Sequence, residues 1–158
     1  MLKITPFLWF DNNAEEAMDF YLSVFKDSKA VSVSRTGEGT PGPRGSVVFA
    51  TFVINGLELM ALNGGPHFKL TPAFSLFVLC ETQDEIDELW DKFLAGGGKP
   101  SQCGWLTDKF GLSWQIIPKA LHELMGDKDP AKSMRVREAM MKMVKLDIAT
   151  LKKAHAGA

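Results

Sequence analysis

Long apolar runs are missing from this 158-residue chain: the uninterrupted ones span only a few residues, far short of the roughly 20 needed to cross a bilayer. No membrane span is expected. Cysteine is scarce, with only Cys80 and Cys103 and no CxxC pair, so neither a disulfide framework nor a thiolate metal cluster is expected. The opening Met1-Leu-Lys-Ile-Thr-Pro6 lacks the charged and apolar regions of a secretory signal, which fits a reducing cytoplasm. Charge of one sign is lacking too. Eighteen Lys and Arg face 19 Asp and Glu, and without a basic stripe nucleic acid is not an expected partner. No Ser-His-Asp order, HExxH or Walker sequence occurs, so hydrolase, zincin and nucleotide-binding readings have no support.

What is present is a pattern that occurs twice. Ile4 to Phe10 is apolar and aromatic and ends at Asp11-Asn12-Asn13, after which Ala14, Ala17, Met18, Tyr21, Val24 and Phe25 take up helical spacing. Asn13 and Glu16 are placed for a capping box. Strand-like Ala30 to Arg35 follows, then a Gly- and Pro-rich loop, Thr36 to Gly45. Ser46 to Ile54 and Leu57 to Leu62 flank Asn55-Gly56, a pair suited to the positive φ of a type I′ hairpin turn. From Thr71 the order recurs. Phe74 to Cys80 reads as a strand, Thr82 and Glu85 as a second capping box, and Ile86, Leu89, Trp90 and Phe93 as a helix face ended by Gly96-Gly97-Gly98. Gly104 to Pro118 is hairpin-like, with Asp108-Lys109 as its tight turn, and Gly111-Leu-Ser-Trp-Gln115 stands where the first half has Gly56-Leu-Glu-Leu-Met60. The chain is thus an internal duplication displaced by about 55 to 69 residues. The fold class is α+β, two β-α-β-β-β modules plus a C-terminal helical segment.

That last segment has no counterpart in either half. Asp129-Pro130 is a helix start, and Met134, Met140, Met143, Ile148 and Leu151 run on toward Lys152 and Lys153. The pattern predicts one long helix with a Met-rich side packed on the sheets or on a neighbouring subunit.

Two such modules, each with a Gly-anchored last strand, resemble the vicinal oxygen chelate superfamily, which includes glyoxalase I and the fosfomycin- and bleomycin-resistance proteins. More narrowly, Ile4-Thr-Pro-Phe-Leu-Trp-Phe-Asp11, Ala61-Leu-Asn-Gly-Gly-Pro-His67, Cys103-Gly-Trp-Leu-Thr-Asp-Lys-Phe-Gly-Leu-Ser-Trp-Gln115 and Arg137-Glu-Ala-Met-Met look like its PhnB-like branch. Members of that branch often carry a demethylubiquinone methyltransferase label. The resemblance implies a single glyoxalase-like domain over 1–158: module one at 1–66, module two at 67–118 and C-terminal helices at 119–155, the modules being open, curved half-barrels. It also implies metal ligands at four positions, where this chain has Pro6, Met60, Gln115 and, near Phe74, Ser75. Pro and Met cannot serve a hard cation, so no metal and no cofactor is expected.

Trp9, Trp105 and Trp114, with Phe7 and Phe52, lie on strands expected to line the concave faces. Alternation should turn Gln115 toward the cavity and Trp114 away from it. The expected ligand-binding set is Gln115, Trp9, Phe7, Met60, Asn63, His67, Ser75 and Trp105, with His67 also the weak catalytic candidate. His122 and His155 read as structural or exposed, the latter in a frayed tail, and Cys103 as a buried inert thiol. The function implied is metal-free binding of a small molecule by a cytoplasmic homodimer. The alternative is an enzyme of the vicinal oxygen chelate class, a lyase, an isomerase or one bearing the methyltransferase label, acting on a small amphipathic substrate.

Overall fold

Alternation along Phe7–Phe10 (β1) buries Leu8 and Phe10 and leaves Phe7 half exposed, so one side of this strand faces a helix and the other does not. The computed structural model describes residues 1–39 and 41–158; Thr40, in the Gly- and Pro-rich loop, lies outside the described residues. Two compact units are present, Met1–Leu70 and Thr71–Ala158.

In the first unit β1 is followed by Ala14–Val24 (α1), Ser28–Arg35 (β2), Val47–Ile54 (β3) and Leu57–Asn63 (β4). The sheet order is β1-β4-β3-β2, with β1 parallel to β4 and the other pairs antiparallel. Asn55 and Gly56 adopt φ 43° and 81°, the hairpin turn that their chemistry favours. Ala14, Ala17, Met18, Tyr21 and Val24 form the buried side of α1, and Tyr21 stacks on Phe52 at 6.2 Å. Phe52 is therefore core beneath the helix and does not line the opposite face, which corrects the expectation for that residue.

The second unit repeats this plan with Ser75–Cys80 (β5), Gln83–Ala95 (α2), Lys99–Pro100 (β6), Trp105–Thr107 (β7) and Ser113–Pro118 (β8). Its order, β5-β8-β7-β6, with β5 parallel to β8, is that of the first sheet element for element. Phe77 pairs with Gln115 as Phe7 pairs with Met60, so the duplication is exact in register at the strands where the two halves differ most in chemistry.

The two expected capping boxes have different outcomes. Thr82, at φ −126° and ψ 162°, forms its box with Glu85 in full. Asn13 has ψ 25° and makes no side-chain cap bond, because its backbone has left the extended conformation that points an N-cap side chain at the first turn. Asn63, at the end of β4, does the work instead: its Oδ1 accepts from Ala14 N at 2.8 Å and its Nδ2 donates to the Val47 carbonyl at 3.0 Å.

The short helix around His122 is Lys119–Met125 (α3), and the long helix expected from Asp129 onward is two shorter ones, Pro130–Met141 (α4) and Ile148–Ala156 (α5). The break between α4 and α5 has an identifiable cause. Met143 and Val144 carbonyls, which a continuous helix would satisfy internally, accept from the Cys103 and Gly104 amides at 2.9 and 2.7 Å, and Asp147 starts a new helix by accepting from Thr150 N. Ile117, Leu121, Val136, Leu146 and Leu151 form one buried cluster with Met140 and Met143 against it, while Met134 and Met141 stay exposed. Gln83 fastens this segment to α2, donating to the Leu146 carbonyl and accepting from Ile148 N. His155 is not in a frayed tail. It pairs with Asp127 at 2.8 Å, and Arg135 donates to the Ala154 and His155 carbonyls. Among the described residues no helix is long and apolar enough to cross a membrane.

Candidate functional site

In the second sheet, β8 divides its side chains between two faces. Trp114 turns toward α2, fully buried, with its ring 4.8 Å from Phe93 and its indole N–H on Asp108 Oδ2 at 2.9 Å. Asp108 also accepts from Phe110 and Leu112 amides, so its carboxylate is satisfied by the turn that it organises, as its place in the hairpin suggests. Trp114 lines no open face. Gln115, one residue on, turns the other way, and its Nε2 donates to Ser75 Oγ at 2.9 Å.

The strand registers define what surrounds Gln115. Phe77 and Trp105 are its direct partners on β5 and β7, giving a cross-strand row of aromatic, amide and aromatic that contains no charge. Beside it runs a polar row: Ser75, Ser113 and Thr107 are partners, and Lys99 follows at the far edge. Ser113 Oγ is buried and has no hydrogen-bond partner among the described residues, a costly state for a hydroxyl in a protein interior. Phe77 is 48% exposed and Leu79, two residues along, 51%. At one end of this face the C-terminal segment closes in, with Leu121 in the cluster with Ile117 and the His122 ring edge-on to Phe77 at 5.7 Å.

The corresponding face of the first sheet is more apolar. Phe7 pairs with Met60, and Trp9 with Leu62. Trp9 holds the following loop: its Nε1 donates to the Gly65 carbonyl at 2.9 Å, its ring meets Phe68 at 5.0 Å, and a Cβ on Gly64 would stand 2.3 Å from the indole. Asn63 belongs to the helix start described above, and His67 is exposed on the loop. The structure thus gathers Ser75, Trp105 and Gln115 on one face and Phe7, Trp9 and Met60 on the other sheet's face. Phe77 and Ser113 were missed by sequence reasoning; the repeat carried the signal, since Phe77 stands to Gln115 as Phe7 does to Met60.

The four positions where the resemblance would place metal ligands do not suit a hard divalent cation. Pro6 contributes only a carbonyl, already accepting from Met60 N at 3.0 Å; Met60 is a thioether, and Ser75 and Gln115 offer only neutral oxygens, the Ser75 hydroxyl already accepting from Gln115 Nε2. Among the described residues no group of three or more His, Cys, Asp or Glu is placed to hold a metal. Of the thiols, Cys80 is buried, and that burial together with nearby Glu85 pushes it up to about 11. Cys103 is only half-buried and sits at φ 58°, so the expected buried thiol at that position is not found. A cleft of about 520 Å³ between α2, α3 and α5 mixes Glu81, Glu123 and Asp147 with Lys119 and Lys152 and contains none of the expected site residues.

Comparison with known proteins agrees with this architecture. No curated protein matches the chain. The chain is 44% identical to the PhnB protein from Bacillus cereus, with 74% of this chain covering 99% of that one at a TM-score of 0.68. Protein PA1353 from Pseudomonas aeruginosa is 23% identical over 72% of this chain and 95% of its own, at a TM-score of 0.59. The fosfomycin resistance protein FosX from Listeria monocytogenes, solved with Mn(II) and sulfate, shares the fold at 14% identity and a TM-score of 0.51, over 72% of this chain and 88% of that one. A family model described as 3-demethylubiquinone-9 3-methyltransferase matches residues 2–117, both β-α-β-β-β units but for Pro118 at the end of β8. With that match and the 44% identity to a PhnB protein, the chain belongs to the PhnB/3-demethylubiquinone-9 3-methyltransferase family and has its glyoxalase-like fold.

Proposed function

We propose that this protein binds a small, neutral, oxygen-bearing aromatic molecule without a metal, using the face of the second sheet that carries Gln115. The observation that supports this most is the Gln115 to Ser75 hydrogen bond at 2.9 Å, set between Phe77 and Trp105. With one amide N–H committed to Ser75, Gln115 still offers its carbonyl oxygen as an acceptor. Aromatic walls around a few neutral polar groups are the usual make-up of a small-ligand site. Met60 and Gln115 stand where a metal enzyme of this fold would need carboxylates, which favours binding over metal catalysis. The free Cys80 and Cys103 suit a reducing cytoplasm, and the protein works as a homodimer, since β1 and β5 are edge strands that need covering.

Para-cresol serves as the probe. Titrated into ¹⁵N-labelled protein, it should shift the Gln115 side-chain amide and the Trp105 indole resonances saturably, and an absence of any shift at both would refute the assignment of this face. The metal-free part is tested separately by melting curves with zinc, nickel and manganese. A native-state site in 100-fold excess of metal over its dissociation constant would add about 2.7 kcal/mol of stability, so a clear upward shift would show a metal centre that this reading denies.

A further inference from the structure

The family match stops at residue 117, yet the next helix reaches the same sheet face. α3 starts at Lys119, seats Leu121 beside Ile117, and brings the exposed His122 ring edge-on to Phe77, with centroids 5.7 Å apart and planes at 73°. Phe77 is the direct register partner of Gln115. An imidazole from outside the family-matched region therefore stands one aromatic side chain away from the amide proposed to hold the ligand. We infer that His122 is a further ligand-contact residue of this face, fixing an oxygen of the bound aromatic molecule while Gln115 fixes the other end of the same polar group or its neighbour.

The hydrogen-bonding inventory supports the assignment. Gln115 has one N–H on Ser75, so what it presents foremost is an acceptor. Ser75 is already an acceptor in that bond, and Ser113 Oγ, next to it in the polar row, is buried without a partner among the described residues. On this rim the imidazole adds two ring nitrogens able to hydrogen-bond an oxygen of the ligand. The ring also packs on Phe77, so the same side chain shapes the aromatic wall. The inference rests on the proposed use of this face and adds the C-terminal segment to it.

The test uses the full chain and two probes that differ by one hydroxyl, para-cresol and toluene, titrated into wild-type protein and into His122→Phe and His122→Gln. Phe keeps a ring against Phe77 without nitrogen; Gln keeps the hydrogen-bonding groups without the ring. Wild type should prefer para-cresol, and His122→Phe should narrow that preference about five-fold, the size of one ordinary hydrogen bond, at an unchanged melting temperature. His122→Gln should recover most of the preference. If His122→Phe retains the full preference for para-cresol, or if it loses both probes equally together with stability, the imidazole only packs and the inference fails while the Gln115 face stands. If the Gln115 amide of the wild type responds to neither probe, the face itself is wrong and His122 falls with it.

Discussion

At the scale of single residues, the one-residue step from Trp114 to Gln115 separates stability from recognition. Trp114→Ala removes a fully buried ring packed on Phe93 and strips Asp108 of its indole partner, so it should cost about 3 to 5 kcal/mol, read by chemical denaturation. Gln115→Ala should leave the melting temperature in place and weaken para-cresol binding; the reverse pattern would mean that β8 is assigned to the wrong faces. That division of faces was legible in the sequence because alternation along a strand is strict. The role of Asn63 was not. Its sequence neighbours Gly64 and Gly65 suggest a loop over a site, whereas its partners, Ala14 and Val47, are 49 and 16 positions away. A side chain that satisfies backbone groups in two other elements leaves no local periodic trace. The edge contact of His122 with Phe77 left no local trace for a similar reason, since only the fold of α3 brings the two rings together.

Elements show the same contrast between local and distant causes. Strands, hairpin turn and α2 follow from local chemistry, and the Thr82 box forms as its spacing dictates. The end of α4 does not, because the carbonyls that interrupt the helical course are claimed by the Cys103 and Gly104 amides about 40 residues earlier. Three carboxylates hold this C-terminal segment. Asp87 is lowered first by Lys145 and then by Gln83, Asp127 first by the Asp129 amide and then by His155, and Asp147 first by Thr150. All three are solvent-accessible, so screening keeps each contribution small. Each depressed carboxyl adds stability that is present above its ordinary value of 3.8 and is lost as pH falls through the folded value. Hydrogen exchange compared between about pH 6 and about pH 2.5 should therefore show α5 and the Asp127 turn losing protection before β8. Uniform loss across the second unit would show that these contacts do not set the stability of the segment.

For the molecule as a whole, the duplicated sheet order conceals an uneven division of labour. The first copy presents Phe7, Met60 and Trp9 on its open face and uses Asn63 and Trp9 to secure its own helix and loop. The second presents an amide and hydroxyls and gains a three-helix segment that the first lacks. Light scattering at tens of micromolar should give twice the 17.4 kDa chain mass, and a monomer would refute the homodimer. One further consequence lies in time. All strands and the helix of the first unit fall within its first 70 residues, whereas the second unit gathers Ile117, Val136 and Leu151 into one cluster and draws on Met143 and Val144 to pair its amides. At synthesis rates of about 5 to 20 residues per second, the 86 residues from Leu70 to Ala156 take about 4 to 17 s. Over that interval the second unit still lacks Val136, Leu146 and Leu151, the residues that complete the cluster around Ile117 and Leu121.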